Sequence, residues 1–567
     1  MLYYSLLLYS TRYEDAIQWI KENFNTTYNI ATIDCDYFTR KQYNLFQLWI
    51  IGITLLYGLL AVLFWINYSK ITQLASGIRN QLSTLLKNIL TLFLYLTLWQ
   101  RIIILFMYTG WLAHHIYYCL EIPFSVDEVF AYNYFVHQSP LVPIFYYPEP
   151  NNHIFFNLFA SFFDCFINNG KWVMRLPSLF ANMVLLTVIF IYLFKKVNFN
   201  VALVATICCI ISFPTSIYAI QGRGYMLMSL CTTLAAISFI EWKHRSRKIY
   251  LAIYIVSSIV GFYTHITFLY CFTGLFLWEA TTIIVNRNLS FIKAFLWNKI
   301  VIVSCINFLY SPIIVFSGWK SLAENRWLVR NQTNFVDAFF IELLEILSLV
   351  TDIWHKVYIF IFFLLLLTGI LAYKFRNLLF VRQLCIFLTS QMAGIIIVML
   401  ILRLLPPLRV WTYLAFWYPI GLSVSIYLLS AWLNRSYIYL SLSIFLLLFT
   451  SWQSIYSYQK NLVIAEGSFS QTLYTPLQNI IHYIVQKHPK YIFVSDHWLQ
   501  FYLRNQQIET PSAVPSMDID IPQKEIIYDF VIYAPDMLQN SLPATFSSQS
   551  YRLVAEFYGS RIYERSH

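Results

Sequence analysis

Two adjacent carboxylates, Asp127 and Glu128 in "IPFSVDEVFAYNYF", stand where a long apolar stretch gives out. A carboxylate at such a boundary can take the proton of a hydroxyl nucleophile if an acceptor comes within hydrogen-bond reach. The same residues also read as structure. Ser125-Val126-Asp127-Glu128 matches a capping box, Ser125 capping a helix and Glu128 reaching back. Acids in a first helical turn are favoured by the helix dipole. That accounts for Glu128 and leaves Asp127 without a local role. Basic and polar groups recur at comparable boundaries: Asn152-His153, Lys171 and Arg175, Arg223 between two glycines in "QGRGY", His265 in "YTH", and Arg403 and Arg409 around "PPLRVWTY". An acid among cations at membrane depth suits an anionic, lipid-attached substrate. Arginines and lysines at span ends also snorkel to head groups, and Arg403 and Lys171 are equally open to that reading.

The elements that must position these groups are membrane helices. The chain of 567 residues is 59% hydrophobic and 11% charged, whereas a soluble domain carries about a quarter charged residues. Apolar runs near 44–66, 102–120, 173–194, 199–217, 224–240, 249–264, 266–284, 300–317, 357–373, 384–404, 410–432 and 437–455 approach the ~20 residues of a spanning helix. The expected class is therefore mainly α, a polytopic membrane protein of about 11–12 transmembrane helices. The net charge of +11 resides in alternate connections, among them Lys70, Arg79 and Lys87; Lys243, Arg245, Arg247 and Lys248; and Lys374, Arg376 and Arg382. Glu241 is the one acid among them. The positive-inside rule makes these loops cytoplasmic, so the charge reflects topology and nucleic acid is not an expected partner. The carboxylates then face outward, as does everything after residue 456. Arg101 interrupts the run from 89 to 120 and is placed at the inner boundary.

No cleavable signal is expected, since "MLYYSLLLYSTRYEDAIQWIKENF" lacks a basic start and a small-residue site. The cysteines sit mostly in apolar runs, which is packing and not a disulfide framework or metal cluster. Three parts are expected: 1–88, a polar segment, an extra span and a cytoplasmic loop; 89–455, a membrane domain with an outer loop at 121–172; and 456–567, a small outer α/β domain. The outer loop is punctuated by prolines and carries aromatic, interfacial helices at 126–137 and 152–167. In the last part "PLQNIIHYIVQ" has helical periodicity, and "YIFVS", "EIIYDFVIYA", "YRLVAEFY" and "SRIYER" read as strands.

In order, the paired acids, Asn152-His153, "RLPSL", "GRGYML", "YTH" and "RVWTY" with Pro419 resemble a C-type (GT-C) membrane glycosyltransferase. The branch is that of protein O-mannosyltransferases, aminoarabinose transferases and rhizobial lipopolysaccharide transferases, and the resemblance covers about 90–460. Ile154-Phe155 stands where the family usually has prolines, and the span at 44–66 is an addition. The resemblance implies a GT-C-like fold, a polyprenyl-phosphate-sugar donor, and inverting transfer to a hydroxyl of a glycolipid, polysaccharide or protein. It places the active site on the periplasmic face of a bacterial inner membrane or in an ER lumen. Asp127 would be the base, with Glu128 capping or orienting it. Arg223 and Arg409, assisted by Lys171 and Arg403, would meet the donor phosphate, and His153, Asn152, Arg175, Tyr225 and His265 the substrates. No metal ligand set is assigned, although some relatives use a divalent cation and a carboxylate pair can hold one. Two other readings remain: a transporter or flippase for an anionic lipid-linked substrate, and a non-catalytic scaffold of the same fold. Against the transporter, no clear internal repeat is visible and the polar residues gather at one face.

Overall fold

In the computed structural model the described residues are 11–15, 18, 39–122, 124–137, 140–147, 151–245, 247–286, 289–318, 322, 335–351, 369–371, 373–464, 471–495, 499–500, 502–505, 517–519, 526–533, 550–557 and 560–566. The chain is a multi-pass membrane protein. Among the described residues eight helices are long and apolar enough to cross a bilayer. A ninth span arises if two helices bent by 62° at a short break are one crossing.

The first span, α1 (Arg40–Ile66), starts from a capping box at Thr39 and Gln42. None of its apolar window is fully buried in the protein, so most of its circumference is left for lipid. The Trp49 indole donates to Ser311 Oγ at 2.8 Å and ties it to the bundle. Residues 68–88, expected as a loop, are instead helical, within α2 (Tyr68–Leu94). The reason is an apolar face at helical spacing, through Ile71, Ile78, Leu85 and Ile89, interleaved with polar residues. The next span, α3 (Leu98–Glu121), begins at a second capping box, Thr97 with Gln100. Arg101 lies exposed in its first turn, and Nη2 donates to the Leu94 carbonyl at 2.7 Å.

Short helices follow: α4 (Val126–Ala131), continued by a π-helical turn Tyr132–Val136, then α5 (Val142–Phe145) and α6 (Ile154–Asp164). The central bundle comprises α7 (Gly170–Lys196), α8 (Phe199–Ile211), α9 (Phe213–Ile220), α10 (Tyr225–Arg245), α11 (Lys248–Thr264), α12 (Phe268–Asn286) and α13 (Leu289–Phe316). The bend of 62° falls between α8 and α9. There Ser212 leaves helical geometry and Pro214 opens the new helix, where its missing N–H costs nothing. Two expected spans, 249–264 and 266–284, are the shorter apolar helices α11 and α12. The expected span 357–373 lies largely outside the described residues.

After α14 (Phe335–Thr351) come α15 (Leu379–Leu402), α16 (Thr412–Leu433) and α17 (Ser436–Ile464). The most buried span is α10, packed against α7, α11 and α16. Its N-terminal end adjoins the site described below. The C-terminal region holds α18 (Gln471–Gln486) and a five-stranded sheet in the order β2-β1-β3-β5-β4. The strands are β1 (Ile492–Val494), β2 (Met517–Ile519), β3 (Phe530–Tyr533), β4 (Tyr551–Phe557) and β5 (Ser560–Arg565). β1 runs parallel to β2 and β3, while β5 is antiparallel to β3 and β4. β2 was not foreseen from the sequence, because three residues beside prolines carry no usable alternation. The Tyr502 hydroxyl donates to the Phe124 carbonyl at 2.5 Å, joining this region to the approach to α4.

Candidate active site

The pair Asp127-Glu128 divides into two environments. Ser125 caps α4: the Glu128 N–H donates to Ser125 Oγ at 3.3 Å, and the Ser125 N–H to Glu128 Oε2 at 2.9 Å. Glu128 then does more than close a cap. It is fully buried, and Arg175 of α7, also fully buried, grips both its oxygens through Nε and Nη2 at 3.1 Å each. The Gly222 N–H adds a bond to Oε1 at 2.6 Å. Arg175 Nη1 donates onward to the Cys119 and Ile122 carbonyls, both at 2.9 Å. One carboxylate and one guanidinium thereby lock the end of α3, the start of α4, α7 and the loop before α10. Every acceptor position facing a donor is used, so Glu128 and Arg175 have little left for a ligand.

Asp127 sits one residue earlier on the helix and points elsewhere. Its side chain is 22% exposed. Oδ1 accepts from Asn151 Nδ2 at 3.1 Å. Oδ2 is 2.7 Å from Arg223 Nη1 and 3.5 Å from Arg409 Nη1. Burial pushes the carboxyl up, but the charges of Arg223 and Arg409, with the bonds from Asn151 and Arg223, hold it below the usual range. Asp127 is thus ionised at neutral pH. The two cations come from distant parts of the chain. Arg223 lies in the loop between α9 and α10, and Arg409 in the 3-10 turn Leu408–Trp411 that leads into α16. Arg223 is only 2% exposed, its guanidinium stands 5.7 Å from the Tyr225 ring centre, and its Nε has no hydrogen-bond partner among the described residues.

The glycines around Arg223 have a specific role. A Cβ on Gly222 would lie 2.5 Å from Met174 Cβ and 3.0 Å from Glu128 Oε1. One on Gly224 would lie 2.6 Å from His153 Nδ1 and 2.7 Å from Thr264 Cγ2. The close approach that these glycines permit is by the protein's own Met174 and Glu128 on one side and His153 and Thr264 on the other.

His153 accepts the Gly224 N–H on Nδ1 at 3.1 Å, which puts the proton of the neutral ring on Nε2. That buried Nε2 has no hydrogen-bond partner among the described residues. Its ring lies 4.4 Å from that of His265 and 5.2 Å from that of Tyr225. Burial, then the neighbouring His265, Arg223 and Arg409, push His153 well below its usual pKa. Burial and the same two arginines bring His265 to about 3. His265 Nδ1 accepts the Thr267 N–H at 3.1 Å. Both rings are therefore neutral hydrogen-bonding groups, not cations.

Other residues singled out from the sequence stand apart. Asn152 spends its amide on the Pro143 and Tyr146 carbonyls, at 2.8 and 2.9 Å, and its oxygen on Asn157. Lys171 donates to the Leu120 carbonyl at 3.0 Å. Arg403 is exposed at the left-handed C-cap of α15 and makes no hydrogen bond or ion pair among the described residues. Asn151 was missed by sequence reasoning, although it adjoins Asn152-His153 and its type suits a carboxylate partner. Among the described residues no group of three His, Cys, Asp or Glu side chains could hold a metal. The two carboxylates are each neutralised by guanidinium, so this pair does not fit a divalent cation.

The geometry is thus one ionised, partly accessible carboxylate between two arginines, beside two neutral histidines and a tyrosine. It can take up a proton, and it can meet an anion through the shared guanidiniums. No family model matches the chain, and no curated protein does. The chain is similar to the crystal structure of ArnT from Cupriavidus metallidurans in the apo state, with TM-score 0.49 and 13% identity over 80% of this chain and 98% of that one. It is also similar to the same protein bound to undecaprenyl phosphate, with TM-score 0.48 and 12% identity over the same shares.

Proposed function

We propose that the protein is a membrane glycosyltransferase of the GT-C kind, moving a sugar from a polyprenyl-phosphate donor to an acceptor hydroxyl with inversion. The observation that carries this reading is Asp127 held ionised between Arg223 and Arg409 at the end of a membrane bundle. The ordered motifs shared with that family support it. The acceptor oxygen attacks the anomeric carbon as the bond to the donor phosphate breaks. The hydroxyl proton passes to Asp127, and the phosphate leaves with the electron pair and a growing charge. Arg223 and Arg409 already converge on one carboxylate oxygen, so a phosphate entering beside them shares the same donors. Fixed donors aimed at developing charge are usually the largest catalytic contribution. His153 supplies a neutral Nε2–H donor for a sugar or phosphate oxygen. The basic residues of alternate connections support an outer-face position for this site and the C-terminal sheet.

The test is Asp127→Asn in a transfer assay with labelled polyprenyl-phosphate sugar. A general base contributes ~10²–10⁴-fold, so turnover should fall in that range while the purified protein remains folded. Retained turnover would remove Asp127 as the base. An unaltered transport rate for lipid-linked substrate, with no transfer by the parent protein, would favour a flippase.

A further inference from the structure

The helix α2 carries a surface that the proposed chemistry does not use. It is 27 residues long, about 40 Å at 1.5 Å per residue, and is not among the spanning helices. Three contacts fix its level. Its first residue follows directly on the end of α1, separated by Asn67. Near its middle, Gln81 Oε1 accepts the Ile249 N–H at 3.0 Å, in the first turn of α11. At its end the Leu94 carbonyl accepts from Arg101 in the first turn of α3. The finish of one span and the starts of two other helices are at one end of the bundle only if α2 runs along that end, not through it.

Its side chains divide accordingly. Ile71, Ile78, Leu85 and Ile89 are half-buried, whereas Leu82, Leu86, Leu90 and Leu94 are exposed by 41%, 52%, 64% and 72%. Four-residue spacing sets those four leucines in one ridge. Lys70, Arg79 and Lys87 are exposed along the same helix, and residues 37–120 contain no Asp or Glu. Arg245 and Lys248 add charge beside the anchor at Ile249. A leucine ridge flanked by basic residues, level with span ends, matches an interfacial helix on acidic head groups.

We propose that α2 lies in the head-group layer with its leucine ridge among acyl chains and its basic residues on anionic phospholipid. This rests on no part of the catalytic reading. The test places photoreactive p-benzoylphenylalanine at Leu86 or Leu90, or at exposed polar Asn80 or Thr84, in the full-length protein. Each variant is reconstituted in vesicles of equal phosphatidylglycerol and phosphatidylcholine, irradiated and analysed by mass spectrometry. Leu86 and Leu90 should capture phospholipid several-fold more than Asn80 and Thr84. Phosphatidylglycerol should be enriched in the adducts by about fivefold, the effect of one well-placed basic residue. The variant K70Q/R79Q/K87Q should lower that ratio toward parity, with Arg245 and Lys248 still in place. Covalent dimers of the chain at Leu86 or Leu90 would overturn the proposal in favour of a protein interface. Equal capture at all four positions, or an enrichment unchanged by the triple substitution, would overturn it as well.

Discussion

Glu128→Gln tests the division between the paired carboxylates. By cap chemistry alone the substitution is mild, because Gln serves at the third position of a capping box. The observed surroundings argue otherwise. Glu128 accepts from the Ser125 and Gly222 N–H groups and from two nitrogens of Arg175, and both charged side chains are shut off from solvent. Gln offers one acceptor oxygen and turns its NH2 toward a donor. It also leaves the Arg175 guanidinium charged with no counterion. Removing one member of a buried pair costs about 3–5 kcal/mol. Folded domains are stable by only about 5–15 kcal/mol, so that is a large share. At about 2.1 cal/mol/K of unfolding entropy per residue, a chain of 567 residues loses roughly 1 °C of Tm per kcal/mol, so the Tm of the purified protein should fall by about 3–4 °C, and its yield with it. Glu128→Gln with Arg175→Met removes both charges and should recover part of the loss, because the isolated cation is gone. Thermal unfolding of the parent, both single variants and the pair in one detergent measures this. An unchanged Tm for Glu128→Gln, or a pair as unstable as the sum of its singles, would refute the reasoning.

Arg223→Lys keeps a charge but loses the planar fork that reaches Asp127 past Tyr225, so transfer should drop at least tenfold while the fold persists; turnover equal to the parent would assign Arg223 to head-group contact alone. Gly224→Ala puts a Cβ 2.6 Å from His153 Nδ1 and 2.7 Å from Thr264 Cγ2, closer than such atoms can pack, so it should lower Tm and activity together, read by the same two assays. The pH dependence follows from the histidines. A buried His whose folded pKa is below its unfolded value lets the unfolded chain take the proton first. That stability is complete above the unfolded value of 6.5, and for His265 it is lost as pH falls from there toward about 3. The slope is about 1.4 kcal/mol per pH unit for each such histidine. Asp127, held low, keeps its contribution until pH drops below the ordinary carboxylate range. Tm should therefore decline between pH 6 and pH 4.5, and the decline should be shallower in His265→Gln; parallel curves would refute this assignment.

Hydropathy and charge placement determined much of the architecture without a fold in hand. Long apolar runs have no alternative to a membrane, and the ends of α1, α7, α10 and α16 fall within a few residues of the runs that foretell them. The capping box at Ser125 is equally local, since its donors and acceptors are three residues apart. The helix at 68–94 has an apolar face at helical spacing, but its basic residues fit a cytoplasmic connection of any local structure and do not by themselves distinguish helix from loop. The site itself depends on distance in space. Arg175, Arg223 and Arg409 look alike in sequence, each a cation at the edge of an apolar run. Only packing sends Arg175 to Glu128 and the other two to Asp127, because α7 passes behind α4 while the starts of α10 and α16 converge in front of it. Likewise the glycines of "QGRGY" declare a tight approach but not what approaches. Tertiary structure decided that it is Glu128 on one side and His153 on the other, because unpaired buried charge and unpaired buried N–H are too costly to leave.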